Sequence, residues 1–183
     1  MLKTIALALF VCFAWNQQTL IETGYDQIKD VTTVRVPSIE LSGPKDRYHS
    51  LSASIYYGYQ GKTPSVPERV NFELISVVKA RRLNHDLYVV FVVNGEPIHF
   101  SSNRSAIRNP VRGKPWIGEK MVFVIPQEDF LKLAAAETLA IKMGGVTFEA
   151  NENLRAGLRA LAEGIKSLTG SSPAKAQRRK ESF

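Results

Sequence analysis

The chain holds one cysteine, Cys12, in 183 residues. A lone thiol forms no intrachain disulfide and no multi-thiolate metal site. Histidine is also scarce. His49, His85 and His99 are the full set, and none falls in an HxH, HxxxH or HExxH spacing, so the chain offers no ready-made imidazole metal site. No apolar run approaches the roughly 20 residues that a membrane-spanning helix needs. The pair Gly144-Gly145 is not followed by G-K-S/T, which removes the phosphate-loop reading. There is no G-x-S-x-G and no internal repeat. Finally, residues 97–118 contain no acid at all.

The serine and carboxylate candidates are thin for physical reasons. Ser76 and Lys79 match S-x-x-K, as do Ser42 and Lys45. That chemistry needs both side chains on one helical turn. Ser76 and Lys79 fall in a strand pattern, where residues three apart face opposite ways, and the second match is interrupted by Gly43-Pro44. Glu128 and Asp129 read as acids in the first turn of a helix, and Glu68 and Glu73 flank a strand. His85 precedes Asp86 at a turn, and His99 alternates with Phe100 onto a surface. No catalytic residue, metal site or cofactor is therefore expected.

What is present begins with an address. Lys3 supplies a positive start, residues 5–13 are continuously apolar, and Cys12-Phe13-Ala14 places small residues two apart. This is the layout of a secretory signal peptide over residues 1–14. It implies a periplasmic or extracellular protein, whose mature form lacks even Cys12. The two variants of this reading are an uncleaved, membrane-anchoring signal and a lipid on Cys12, the latter opposed by the bulk of Val11 before it.

Residues 15–27 read as a flexible lead-in and residues 28–168 as one domain. Period-two alternation marks strands: Leu51, Ala53, Ile55, Tyr57 and Tyr59 face one way, with Ser52, Ser54 and Tyr56 opposite. Further strands are expected at 31–36 (stopped by Pro37), 70–78, 87–93, 97–101, 121–125, 138–143 and 146–148. Asn94-Gly95 predicts a two-residue hairpin, because both residues tolerate positive φ. Pro126 opens a short helix to about Ala136 that buries Phe130, Leu133 and Ala134. A second helix carries Leu154, Leu158, Leu161, Ile165 and Leu168 in one stripe, capped by Asn151 or Asn153. Hairpins without βαβ units give a mostly β, α+β fold: an antiparallel β-sandwich with one short helix and a C-terminal amphipathic helix packed on the sheets.

Charge supplies the functional expectation. The formal net charge is +7, which favours acidic partners. Arg104, Arg108, Arg112, Lys114 and Trp116 lie in the acid-free stretch, with no apolar period between 102 and 118. Guanidinium groups grip phosphate, sulfate or carboxylate through two parallel hydrogen bonds, and an indole stacks on a sugar ring. These five residues are the candidate binding site, against the plainer alternative of a solvated basic loop. A basic tail over 169–183, with Lys175, Arg178, Arg179 and Lys180, is expected to be disordered. The tyrosines 48, 56, 57 and 59 form either an aromatic platform or packing, and Asn103-Arg104-Ser105 is a glycosylation sequon. The leading expectation is an exported, non-enzymatic binding or adaptor module that contacts an anionic lipid, a polysaccharide or an envelope protein. Export argues against nucleic acid. The alternatives are a hydrolytic or carbohydrate-active enzyme without a recognisable motif, and a structural subunit of a cell-envelope assembly joined through strand edges.

Overall fold

The structure is a computed structural model that describes residues 20–41, 50–78, 88–102, 107–110, 117–143 and 146–170; at residues 78, 107–110 and 117 the description is of backbone alone. Among the described residues, ten strands and two helices follow in chain order. They are β1 Glu22–Asp26, β2 Val31–Glu40, β3 Ser50–Gln60, β4 Arg69–Val78, β5 Tyr88–Val93, β6 Glu96–Ser101, β7 Ile107–Pro110, β8 Ile117–Pro126, α1 Gln127–Ala135, β9 Leu139–Met143, β10 Val146–Glu149 and α2 Glu152–Gly170. They build a six-stranded sheet, β1-β2-β3-β4-β8-β7, and a four-stranded sheet, β10-β9-β5-β6. Every pairing is antiparallel. Neither sheet closes on itself. The fold is mostly β of the α+β class, with sandwich-like packing.

The core follows from the alternation. On β4 the residues Val70, Phe72 and Leu74 are buried, and the ladder sets them against Ile125, Phe123 and Met121 of β8. The smaller sheet covers this surface. Phe91 of β5 meets Phe72 edge-on, with ring centroids 5.0 Å apart, and meets Phe100 of β6 at 5.7 Å. Such edge-to-face pairs match the positive ring edge to the negative face.

The β2–β3 half of the large sheet is covered by α2 instead. Leu154, Leu158, Leu161 and Ile165 of its stripe are buried, and Leu168 is half-exposed. Gly157 sits where α2 crosses β2: a β-carbon there would lie 2.7 Å from Val36 Cγ1. The cap is Asn151, whose side-chain oxygen accepts from Leu154 N–H while its amide donates to the Glu40 carbonyl. One side chain thus starts the helix and ties it to the end of β2. The short helix α1 buries Phe130, Leu133 and Ala134. At the Asn94-Gly95 hairpin both φ angles are positive, at 51° and 92°. Asn94 also accepts from Glu137 and Thr138 N–H, fastening this turn to the chain after α1.

Three expectations need correction. Part of the lead-in is a strand, because Glu22–Asp26 pairs with Val31–Arg35 as β1. Pro37 does not stop β2: it falls within an irregularity between Val36 and Ile39, beyond the last residue that β1 pairs, and the strand continues to Glu40. An edge position and a bulge are where a strand tolerates proline. The patternless stretch 102–118 contains β7 and the first two residues of β8.

Candidate functional site

Of the five residues singled out for binding, Arg108 lies on β7, while Arg104, Arg112, Lys114 and Trp116 lie outside the described residues. The topology still constrains where the segment attaches. β7 is the terminal strand of the large sheet and pairs β8 through Ile107↔Lys120, Arg108↔Glu119, Asn109↔Gly118 and Pro110↔Ile117. Residues 111–116 therefore connect two adjacent antiparallel strands. Arg104 precedes β7 by three residues in the sequence.

Glu119, beside this segment, is a buried charge that the sequence reading did not single out. It is 0% exposed, on the face of β8 that carries Met121, Phe123 and Ile125. Its partner on β4 is Ser76, which is 1% exposed and whose side-chain oxygen has no hydrogen-bond partner among the described residues. Leu51 on β3 continues the row. One row across four strands thus reads Leu51, Ser76, Glu119, Arg108, whereas the next two rows on that face, Ala53-Leu74-Met121 and Ile55-Phe72-Phe123, are apolar. Lys120, next in the chain, takes the opposite face, where its ammonium lies 2.6 Å from the Glu73 carboxylate. The signal for Glu119 was present in the sequence. Carrying the alternation of Ile125, Phe123 and Met121 back one step lands on it.

The remaining candidates separate. His99 is exposed on β6; His49 and His85 lie outside the described residues. Ser76 is on a strand as read, and Lys79, Ser42 and Lys45 lie outside the described residues. Asp129 is held by Lys132 at 2.7 Å, within the first turn and a half of α1. Tyr57 is buried, which raises its phenol above the ordinary value, with the neighbouring Tyr59 adding to the effect. Tyr56 points to the other face, half-buried. Tyr48, the sequon, Gly144-Gly145 and residues 171–183 of the basic tail lie outside the described residues; Thr169 and Gly170, expected in that tail, instead form the last residues of α2. Among the described residues, no group of three or more His, Cys, Asp or Glu could hold a metal ion, and no helix is long and apolar enough to cross a membrane.

A shallow depression follows β1, lined by Glu22, Thr23, Gly24, Tyr25, Asp26, Thr33 and Arg35. Its charged groups and its phenol are engaged, with one another or with the adjoining turn. Arg35 pairs with Glu22 at 2.7 Å, and the Tyr25 hydroxyl donates to Asp30 at 2.6 Å. That bond, with the nearby negative charge, raises the Tyr25 phenol above its ordinary value. Asp26 accepts from Lys29 and Ile28 N–H, and Lys62 lies over the Tyr25 ring. This arrangement locks the turn between β1 and β2.

The sheet edges are guarded. β1 carries Glu22 and Asp26, β6 carries Pro97, β7 is four residues ending in Pro110, and β10 is four residues ending in Glu149. Charge, proline and shortness all discourage pairing with another chain. Comparison with family models, curated proteins and solved structures found no match to this chain.

Proposed function

We propose that the protein is an exported, non-enzymatic binding module whose acid-free basic segment engages an anionic surface. The observation that carries this reading is topological. β7, the terminal strand of the large sheet, falls inside the segment, and Arg104, Arg112, Lys114 and Trp116 all lie within about six residues of it in the sequence. Arg104, Arg112 and Lys114 supply the charge, and Trp116 an aromatic face, next to β8. A phosphate-bearing lipid headgroup and an acidic polysaccharide present the same oxyanion chemistry to guanidinium groups. The guarded strand edges give assembly through strand pairing less support. The signal-like residues 1–14 carry the localisation half of the reading: N-terminal sequencing of the exported protein should begin at Trp15.

The test is a binding titration against anionic phosphatidylglycerol vesicles, neutral phosphatidylcholine vesicles and a sulfated polysaccharide. Binding should need the anionic probe and weaken from low salt to 0.15 M, as the screening length falls to about 8 Å. At about 1 kcal/mol per basic residue near an anionic membrane, the variant Arg104→Gln, Arg112→Gln, Lys114→Gln should lose on the order of 100-fold in affinity. An unchanged affinity in that variant would sink the reading.

A further inference from the structure

We infer that Glu119 is a positioning residue, the internal counter-charge that holds β7, and with it the basic segment, against the sheet. The inference deepens the reading above and rests on it for its functional half. Its structural half rests on the fold alone.

A carboxylate at 0% exposure is sustained only with a cation or several donors about it, and Glu119 is engaged in a polar interaction. Among the described side chains, its neighbours on the ladder and along its own strand do not supply that charge. Ser76 opposite it on β4 is neutral, Met121 next on its own face is apolar, and Lys120 is committed to Glu73 on the other face. The remaining side is β7, where the ladder sets a basic position, Arg108, directly across. β7 has only four paired residues, too few for backbone bonding alone to hold an edge firmly. The row of Ser76, Glu119 and position 108 thus joins the apolar interior to the cationic segment. Arg108 is thereby reassigned from ligand contact to anchor, and the ligand-facing set narrows to Arg104, Arg112, Lys114 and Trp116.

Two measurements decide it. The first is a coupling cycle on thermal melts with Arg108→Leu, Glu119→Leu and the double variant. Each single change should lower the melting temperature, and the double should recover most of the loss, because two apolar groups replace a buried pair far better than one does. Additive losses would overturn the inference. The second uses Glu119→Gln. Hydrogen exchange at the β7 amides that bond to β8, every second one on an edge strand, should quicken about tenfold, while the amides of Phe72 and Leu74 keep their protection. Under the same conditions, affinity for phosphatidylglycerol vesicles should fall several-fold, although Glu119 cannot touch them. Unchanged exchange or unchanged affinity overturns it. If the unaltered chain binds no anionic probe, the functional reading fails, and the coupling cycle and exchange still decide the anchor.

Discussion

The six-stranded sheet ends in two short strands, β1 and β7, that finish it by opposite means. β1 lies open to solvent, and its cross-strand ion pair, Glu22 with Arg35, has side chains 48% and 58% exposed. β7 lies beside Glu119, a carboxylate with no exposure at all. Water already solvates the first pair, so making it adds little. The second group has given up its hydration, so it depends on what the protein supplies. An edge strand can therefore be a solvated border or a component keyed into the interior. At the β1 end the support is apolar and lies one strand inward, where α2 packs on β2. At the β7 end the support is electrostatic and lies at the seam.

The largest effect should separate the ends directly. Glu119→Ala removes one member of a buried polar set and should cost about 3–5 kcal/mol in chemical denaturation. Glu22→Ala at the other end should cost no more than about 1 kcal/mol, the range for exposed ion pairs. Similar losses at the two positions would abolish the distinction.

The next effect tests whether α2 is what secures the β1 end. At Gly157 an added β-carbon would meet Val36 Cγ1 at 2.7 Å. Val36 is buried, and a β-branched side chain on a strand has little rotamer freedom to give way. Gly164, on the same helix, has nothing within 4 Å of such a carbon. Gly164→Ala should therefore gain up to about 1 kcal/mol from helix propensity. Gly157→Ala should forfeit that gain to overpacking of about 1–3 kcal/mol. If both substitutions stabilise equally, α2 does not press on β2 as described.

Both ends were also where the sequence was hardest to read, for the same physical reason. Interior strands such as β3 and β8 bury every second side chain, and that leaves a period of two. β1 has one half-buried residue among five, and β7 reads Ile-Arg-Asn-Pro. Neither pattern differs from that of a loop. Proline misled in the same way: at Pro37 it looked like a stop, yet an irregular register beyond the reach of β1 leaves room for it. The two helices were legible because the large apolar side chains of each fall mostly on one face. Of the candidate site, the basic segment was visible through its missing acids. Glu119 was hidden between Gly118 and Lys120, where a charge looks like part of a turn. Only the alternation running back from Met121 assigns it inward.

The smallest effect is a titration at the β1 end. The Asp26 carboxylate accepts the Lys29 N–H, its main source of stabilisation, and also the Ile28 N–H, with the Lys29 charge adding to both. These hold its folded pKa below the ordinary 3.8. A depressed carboxylate contributes stability above the unfolded value and loses it as pH falls through the folded one. Acidification below 3.8 should therefore release the turn between β1 and β2. Amide shifts of Ile28 and Lys29 should move with Asp26 in this range, and Asp26→Asn should flatten that response. Because β1 is a solvated border, the amides of Phe72 and Leu74 should keep the same protection in both proteins at each pH. Should removing this one carboxylate shift the acid unfolding of the whole domain, β1 would be keyed into the core as β7 is. The contrast between the two ends would then reduce to a difference in exposure alone.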